Sequence, residues 1–309
     1  MSNAATAMQE IEERFVAWAT SCPDIRAACV IGSRARADHP ADAWSDLDIV
    51  IITSEPERYL TASDWLAHMG VPWLTFVEPT AVGAGRERRV LFEGGHDVDF
   101  AVFSPELFER IPPDVVYTVV RRGMHVLLDK DGHIMHLLAG VAATHVPSAR
   151  PPTDQECLEA INDFWYHALW AAKKLRRGEL LTAKGCCDGY MKDLLLRMTI
   201  WHAGATRGWT HDTWHRGRFF EEWADPRVVA GLHMAYAHYD AADIERALWA
   251  TMDLFRWLAR ETTTRLRYPY PGSAEERVVA LVTTVLSTLD RSDGMAQDTS
   301  HGSSGVPGS

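Results

Sequence analysis

The chain has 309 residues, 47% of them hydrophobic, and its 31 basic and 42 acidic side chains leave a formal net charge of −11 at pH 7. This length predicts two domains, or one domain with a large extension. The acidic balance argues against a nucleic-acid partner and favours a cationic one, although mild acidity is also ordinary in soluble proteins. No apolar stretch is long enough to span a bilayer, and the N-terminus lacks the apolar block of a signal peptide. We therefore expect a cytoplasmic protein that binds no membrane.

Residues 29–53 are predicted to form two buried strands joined by a polar loop. The prediction rests on β-branched runs at 30–31 and 49–52, which are bounded by polar turns. Gly32 and Ser33 follow the first strand. A glycine lets backbone N–H groups approach an anion, and a serine adds a hydroxyl where a helix can begin. This end of the strand is thus a candidate phosphate site.

Asp46 and Asp48 stand at the start of the second strand. Side chains alternate across a strand, so the two carboxylates project from the same face and repel each other unless a cation lies between them. Hard oxygen ligands of this kind suit Mg²⁺, which takes the rest of its shell from waters and substrate phosphates. A phosphate site followed by Asp-x-Asp resembles the nucleotidyltransferase superfamily built on the polymerase-β-like core.

The other elements of the N-terminal half are predicted from hydrophobic periodicity and turn residues. They are, in chain order, helices over 8–20 and 55–69, a strand over 73–77, a hairpin of strands 88–92 and 98–103, a helix over 115–122 and a strand over 124–128. The five cysteines show no zinc spacing, so we expect reduced thiols that serve mainly in packing.

Asp99 lies inside an apolar strand pattern, where an unpaired carboxylate is costly unless a cation or several donors meet it. The superfamily resemblance implies a third metal-binding carboxylate on the strand beside the Asp-x-Asp strand, and Asp99 fits that position. Asp97, on the same strand face two residues earlier, is its main competitor. We interpret Asp97 as a solvated carboxylate near the turn.

The second half of the chain is predicted to be all α. A proline-rich stretch at 147–152 marks the boundary, and 153–156 has the pattern of a capping box that opens a long helix ending at Gly178. Further helices are expected over 181–202, 219–223, 227–239, 242–263 and 274–289, giving a bundle of about five helices. The fold class is therefore α+β, with a mixed-sheet domain over 1–148, a helical bundle over 149–290 and a disordered tail over 291–309.

From about Gly32 to Ala259 the chain resembles the aminoglycoside 6-adenylyltransferases, a family that includes streptomycin adenylyltransferases. Besides the aspartates, the most specific block lies in the second half. It comprises Ala172-Lys173, Gly178-Glu179-Leu180, Ala183-Lys184, Asp188, Leu195-Leu196-Arg197-Met198 and Trp201-His202-Ala203-Gly204. The chain departs from the pattern at Asp97, where a basic residue is expected, and at Lys174, Cys186 and Cys187.

The resemblance implies transfer of AMP from ATP to a hydroxyl of an aminoglycoside such as streptomycin, with two Mg²⁺ ions held by Asp46, Asp48 and Asp99. Asp99 is also implied as the acceptor of the hydroxyl proton. Gly32 and Ser33 would hold the triphosphate with Arg34 nearby.

Lysines and carboxylates of the helical half complete the implied site. Lys173 and Lys184 would contact the β and γ phosphates, although the spacing of Lys184, Asp188 and Lys192 is equally that of surface ion pairs. Carboxylates would bind the cationic acceptor, and the candidates are Glu93, Asp163 and Asp188.

Two alternatives stay open: the same chemistry on another acceptor (a lincosamide, a protein hydroxyl or a nucleotide end), or a non-catalytic nucleotide-binding regulator. Three crowded carboxylates at Asp46, Asp48 and Asp99 argue against the regulator, and the acidic balance argues against an RNA acceptor. We expect a monomer.

Overall fold

The computed structural model describes residues 3–36, 38–80, 85–143, 150–210, 213 and 215–287. The chain divides into two compact units, Met1–Val146 and Pro147–Ser309. The first holds a sheet with helices on its faces, and the part of the second that the structure describes is helical. The α+β fold class is therefore confirmed. The tail predicted to be disordered, 291–309, lies outside the described residues.

The first unit is organised around a six-stranded mixed sheet. Its elements are α1 (Asn3–Ser21), β1 (Ile25–Ile31), β2 (Leu47–Thr53), α2 (Pro56–Thr61), β3 (Pro72–Pro79), β4 (Arg86–Phe92), β5 (His96–Phe103), α3 (Pro105–Glu109), α4 (Pro113–Arg122), β6 (His125–Asp129) and α5 (His133–Ala143). The strand order is β3-β4-β5-β2-β1-β6. Only the β2–β5 pair is parallel, and the other neighbours run antiparallel. The predicted hairpin is confirmed as β4–β5.

The two faces of the sheet bury different apolar sets, because successive side chains point to opposite sides. On one face Phe100 of β5 packs against Phe15 of α1 and Trp65. On the other face Val50 and Ile52 of β2 share a smaller core with side chains from α3 and α5. Asp48 and Asp99 belong to this second face by the same alternation. The carboxylates of Asp48 and Asp99 therefore lie on the face of the sheet that carries the smaller core.

The predicted single helix over 55–69 is wrong. The chain leaves α2 at Ala62, whose backbone is extended (φ −93°, ψ 153°), and a separate 3₁₀ turn follows over Asp64–His68. The indole Nε1 of Trp65 donates to the Ala62 carbonyl at 3.0 Å, so a side chain satisfies an acceptor that the helix would have used. Helices α3 and α5 were not predicted. The α5 sequence is apolar on nearly every side and offers no helical period to detect.

The second unit is built from two long helices and shorter ones packed on them. Its helices are α6 (Asp154–Arg176), α7 (Leu180–Gly185), α8 (Met191–Arg207), α9 (Phe220–Trp223), α10 (Pro226–Ala235), α11 (Ala241–Leu266) and α12 (Gly272–Ser287). The predicted capping box is confirmed, with Thr153 accepting from the Glu156 N–H and Glu156 accepting from the Thr153 N–H. Phe164 of α6 stacks on Phe255 of α11 with ring centroids 3.6 Å apart. This contact lies in the main core of the unit.

The predicted helix over 181–202 is interrupted by a wider π-helical turn, Cys186–Tyr190, between α7 and α8. The Lys192 ammonium donates to the Cys187 carbonyl at 2.8 Å, so a side chain supplies a hydrogen bond within the widened turn. Within the residues that the structure describes, no helix is long and apolar enough to cross a membrane.

Candidate active site

Three carboxylates meet where the parallel strands β2 and β5 lie side by side. Asp48 pairs directly with Asp99 in the strand register, and Asp46 immediately precedes β2. One oxygen from each carboxylate lies within 4.8 Å of the others. In the part of the chain that the structure describes, this is the one group of three or more His, Cys, Asp or Glu side chains with such geometry. The exposed Asp97 is outside it, so the structure groups Asp99 with the Asp-x-Asp pair.

A tight turn of backbone faces the same carboxylates. Gly32 has φ +73°, a backbone conformation that residues other than glycine rarely adopt. It begins the 3₁₀ turn Gly32–Arg34. A Cβ atom placed on Gly32 would lie 2.1 Å from the Asp48 Oδ2 atom. The hydroxyl of Ser33 is buried and has no hydrogen-bond partner among the described residues. A buried hydroxyl without a partner is costly, and a phosphate oxygen is a suitable acceptor for it.

Asp99 is the most enclosed of the three carboxylates, with 9% of its surface exposed. Burial raises its pKa from 3.8 to about 6, the guanidinium of Arg89 opposes that rise, and the carboxylates of Glu87 and Asp46 add to it. The Arg89 Nη2 atom is 3.3 Å from the Asp99 Oδ2 atom. Three carboxylates held this close repel one another, and a divalent cation would remove that cost. The donor set, all hard oxygens, fits Mg²⁺.

Arg34, predicted to lie near the triphosphate, supports the loop that delivers Asp46. Its Nε and Nη2 atoms donate to the carbonyls of Asp46 and Ser45 at 2.9 and 2.8 Å. Desolvation lowers the pKa of this guanidinium, and the Asp46 carboxylate acts in the opposite direction. The bonds fix the backbone immediately before β2. A nucleotide contact of Arg34 stays a prediction.

The two lysines predicted to contact phosphate, Lys173 and Lys184, differ in their surroundings. Lys173 is exposed near the end of α6. Lys184 is bound within its own unit, because its ammonium donates to the Asp188 carboxylate and to the Ala237 carbonyl, the latter at 2.6 Å. Phosphate contacts of both lysines stay predictions.

Asp188 forms the centre of a small ion-pair cluster. Besides Lys184, it accepts from the Ala237 N–H at 3.3 Å, and its Oδ1 atom lies 3.8 Å from the Lys192 ammonium. Lys192 is 7% exposed, and burial lowers its pKa. The ion pairs that the spacing of these residues predicted are therefore present, but the cluster is largely enclosed and does not lie on the surface.

The other two carboxylates predicted to bind the acceptor substrate, Asp163 and Glu93, lie in different surroundings. Asp163 accepts from the Tyr190 hydroxyl at 2.9 Å and lies 2.8 Å from the His167 Nδ1 atom. Glu93 is exposed in the β4–β5 turn. Binding of an acceptor by Glu93, Asp163 or Asp188 stays a prediction.

Comparison with known proteins places this site in a family. The sequence profile described as Streptomycin adenylyltransferase matches residues 6–285. The chain belongs to this family. The predicted resemblance is thereby confirmed, and the protein is a member of a nucleotidyltransferase enzyme family.

Individual members are distant in sequence. The chain is 25% identical over 279 residues to the aminoglycoside 6-adenylyltransferase of Bacillus subtilis (strain 168), covering 86% of this chain and 94% of that protein. It is 23% identical over 269 residues to the enzyme of the same name from Campylobacter jejuni, covering 85% and 90%. It is also similar to the crystal structure of an aminoglycoside 6-adenyltransferase from Bacillus subtilis, at 21% identity, 90% and 97% coverage and a TM-score of 0.44.

One side chain beside the carboxylates of this streptomycin adenylyltransferase family member was not predicted from the sequence. Arg89 lies on β4 directly opposite Asp99 on β5. The predicted strands, 88–92 and 98–103, leave a longer turn, whereas the observed turn pairs Phe92 with His96 and so fixes every pair behind it.

Proposed function

We propose that the protein transfers AMP from ATP to a hydroxyl of an aminoglycoside such as streptomycin, using two Mg²⁺ ions. Two relatives that each span most of this chain are named aminoglycoside 6-adenylyltransferase, which supports the reaction and the acceptor class. The choice of streptomycin as the acceptor and of two as the number of metal ions goes beyond what the names of these relatives support, and both are part of our proposal. A cytoplasmic location fits an enzyme that uses ATP.

One observation supports the reaction most directly. Two neighbouring strands bring the carboxylates of Asp46, Asp48 and Asp99 together. Beside them lies the turn that begins at Gly32, a position with no room for a Cβ atom. The turn offers an anion the buried Ser33 hydroxyl, which has no hydrogen-bond partner among the described residues, and the carboxylates suit a divalent cation. An anion and a cation bound side by side are what a nucleoside triphosphate with its magnesium offers.

Each residue then has a defined task. Gly32 and Ser33 bind phosphate oxygens through a backbone N–H and a hydroxyl. Asp46, Asp48 and Asp99 hold the cations, which when bound neutralise the phosphates and lower the pKa of an oxygen ligand. Asp99 also accepts the proton of the acceptor hydroxyl, because a carboxylate at the metal site lies beside the reacting hydroxyl. Phosphoryl transfer requires mainly positioning and charge neutralisation from a protein, which these residues supply.

The test is pyrophosphate release from ATP and Mg²⁺ in the presence of a panel of aminoglycosides, streptomycin included. We expect release with at least one of them. Release with none, together with release in the presence of a lincosamide, a protein or a nucleotide end, would assign a different acceptor. No release with any acceptor would favour a regulator that binds nucleotide without turning it over.

The metal-binding role is tested by removing one carboxylate. Asp48→Asn should abolish turnover while the protein stays folded, because losing one of three crowded charges relieves repulsion in the metal-free state. The matched control is Asp97→Asn, which removes an exposed carboxylate on the same face of β5 and should keep turnover. Near-native turnover of Asp48→Asn would show that the carboxylates do not hold the metal.

A further inference from the structure

Arg89 is placed in a row of side chains that runs across the sheet. The strand register pairs Phe76 with Arg89, Arg89 with Asp99, and Asp99 with Asp48, over the four neighbouring strands β3, β4, β5 and β2. Directly paired residues point to the same face of a sheet, so the guanidinium lies on the face that carries the metal-binding carboxylates. The guanidinium forms an ion pair with the Asp99 carboxylate.

Arg89 is shared among three carboxylates. Its Nη2 atom is 3.3 Å from Asp99, its Nε atom is 2.7 Å from Glu78, and its Nε and Nη2 atoms each donate to Glu87 at 3.2 Å. Glu87 is largely enclosed, with 13% of its side chain exposed, whereas the Arg89 side chain is 45% exposed. The guanidinium therefore has two other anionic partners within reach on the side away from Asp48.

We propose that Arg89 is the internal counter-ion of Asp99: it compensates the carboxylates in the metal-free protein and opposes metal binding, shifting toward Glu78 and Glu87 when a cation takes its place. This inference rests on the proposed function, because it assumes that Asp99 is a metal ligand. A guanidinium and a divalent cation near one carboxylate repel each other, so the arginine raises the metal concentration needed for binding. The carboxylates of Glu78 and Glu87 keep the Arg89 guanidinium paired after it has moved away from Asp99.

This arrangement gives the site a preference for metal that arrives with nucleotide. Free Mg²⁺ has to displace Arg89 with no other anion to help, whereas Mg²⁺ on a triphosphate brings negative charge of its own. The repulsion from Arg89 is then offset by attraction to phosphate. Arg89 is thus a positioning residue that acts through Asp99.

The experiment measures binding of Mn²⁺, as a Mg²⁺ substitute, to the full chain without nucleotide by isothermal titration calorimetry. Arg89→Gln should bind Mn²⁺ about tenfold more tightly than the wild type, because one nearby positive charge is gone. Arg89→Lys, which keeps the charge, should stay close to the wild type. The matched control is Arg86→Gln on the same strand, since the Arg86 guanidinium pairs with Glu57.

Two further measurements separate charge from geometry. The difference between Arg89→Gln and the wild type should shrink as salt is raised from about 0.05 to 1 M, since the guanidinium is partly exposed and its field is screened. In a chelating buffer Arg89→Gln should have a lower Tm than Arg86→Gln, because the site carboxylates lose their counter-ion. The double variant Arg89→Gln/Asp99→Asn should regain part of the lost Tm. Both readouts are independent of turnover.

The outcomes distinguish this inference from the proposed function. Equal or weaker Mn²⁺ binding by Arg89→Gln compared with Arg86→Gln would overturn the role of Arg89. If Asp48→Asn loses Mn²⁺ binding in the same experiment, the metal site stands and only the counter-ion inference fails. If Asp48→Asn binds Mn²⁺ like the wild type, the carboxylates are not the metal site and both conclusions fall.

Discussion

Replacing Gly32 with alanine tests how closely the turn proposed to bind phosphate and the carboxylates proposed to bind metal depend on each other. The added Cβ atom would lie 2.1 Å from the Asp48 Oδ2 atom and 3.1 Å from its Cγ atom. Carbon and oxygen atoms that are not bonded need at least about 3 Å, so the carboxylate or the turn has to move by about 1 Å. Alanine also has to adopt φ +73°, which costs about 1–2 kcal/mol.

The matched control is Gly95→Ala in the β4–β5 turn. Gly95 has φ +79°, and a Cβ atom there meets nothing within 4 Å. Both variants therefore carry the same kind of backbone strain, but only Gly32→Ala disturbs Asp48. For a unit of this size the strain should lower Tm by about 3–8 °C in each variant.

Turnover separates the two variants. A displacement of about 1 Å at a catalytic group can cost about 100-fold, so kcat/KM of Gly32→Ala should fall by about that factor. Gly95→Ala should stay within about twofold of the wild type, as surface substitutions usually do. The assays are pyrophosphate release at saturating Mg²⁺ and thermal unfolding with and without a chelator. If Gly32→Ala loses no more turnover than Gly95→Ala, the turn does not take part in the reaction.

The carboxylates could be predicted from the sequence because their signals are local. Asp46 and Asp48 follow from alternation at the start of a strand, and Asp99 follows from the cost of a carboxylate in an apolar strand. The parallel pairing of β2 with β5 is not local. It sets Asp48 opposite Asp99, and it depends on how the intervening β3 and β4 pack at the sheet edge.

Arg89 shows a different kind of limit. The hairpin was predicted, but strands without a register do not say which side chains face each other. Once the turn pairs Phe92 with His96, Arg89 must lie opposite Asp99. The predicted strands, 88–92 and 98–103, imply a longer turn and would place Arg89 opposite Ala101, so the contact depends on a turn length that the sequence did not reveal.

The surroundings of Asp188 could not be predicted from the sequence. Spacing along one helix suggested its lysine partners, but the N–H of Ala237 comes from a segment 49 residues away. The π-helical turn that contains Asp188 also changes which side chains share a face. No local pattern encodes either feature, and so the sequence placed Lys192 on a surface where the structure buries it.

Two further predictions concern Asp99 and Asp188. Because burial raises the pKa of Asp99 from 3.8 to about 6, the unfolded chain ionises first, so this group should lower the free energy of unfolding as pH rises between those values. Unfolding in a chelating buffer should show this slope in the wild type and lose it in Asp99→Asn; equal slopes would contradict the shift. Asp188→Asn should lower Tm, because Lys184 and the buried Lys192 lose the carboxylate that they share. If Asp188 also binds the cationic acceptor, the acceptor KM should rise about tenfold at unchanged KM for ATP, since a charge-assisted hydrogen bond is worth about 1.5–3 kcal/mol. A lower Tm with an unchanged acceptor KM would leave Asp188 as the centre of an ion-pair cluster, and the acceptor carboxylates would then have to be sought elsewhere.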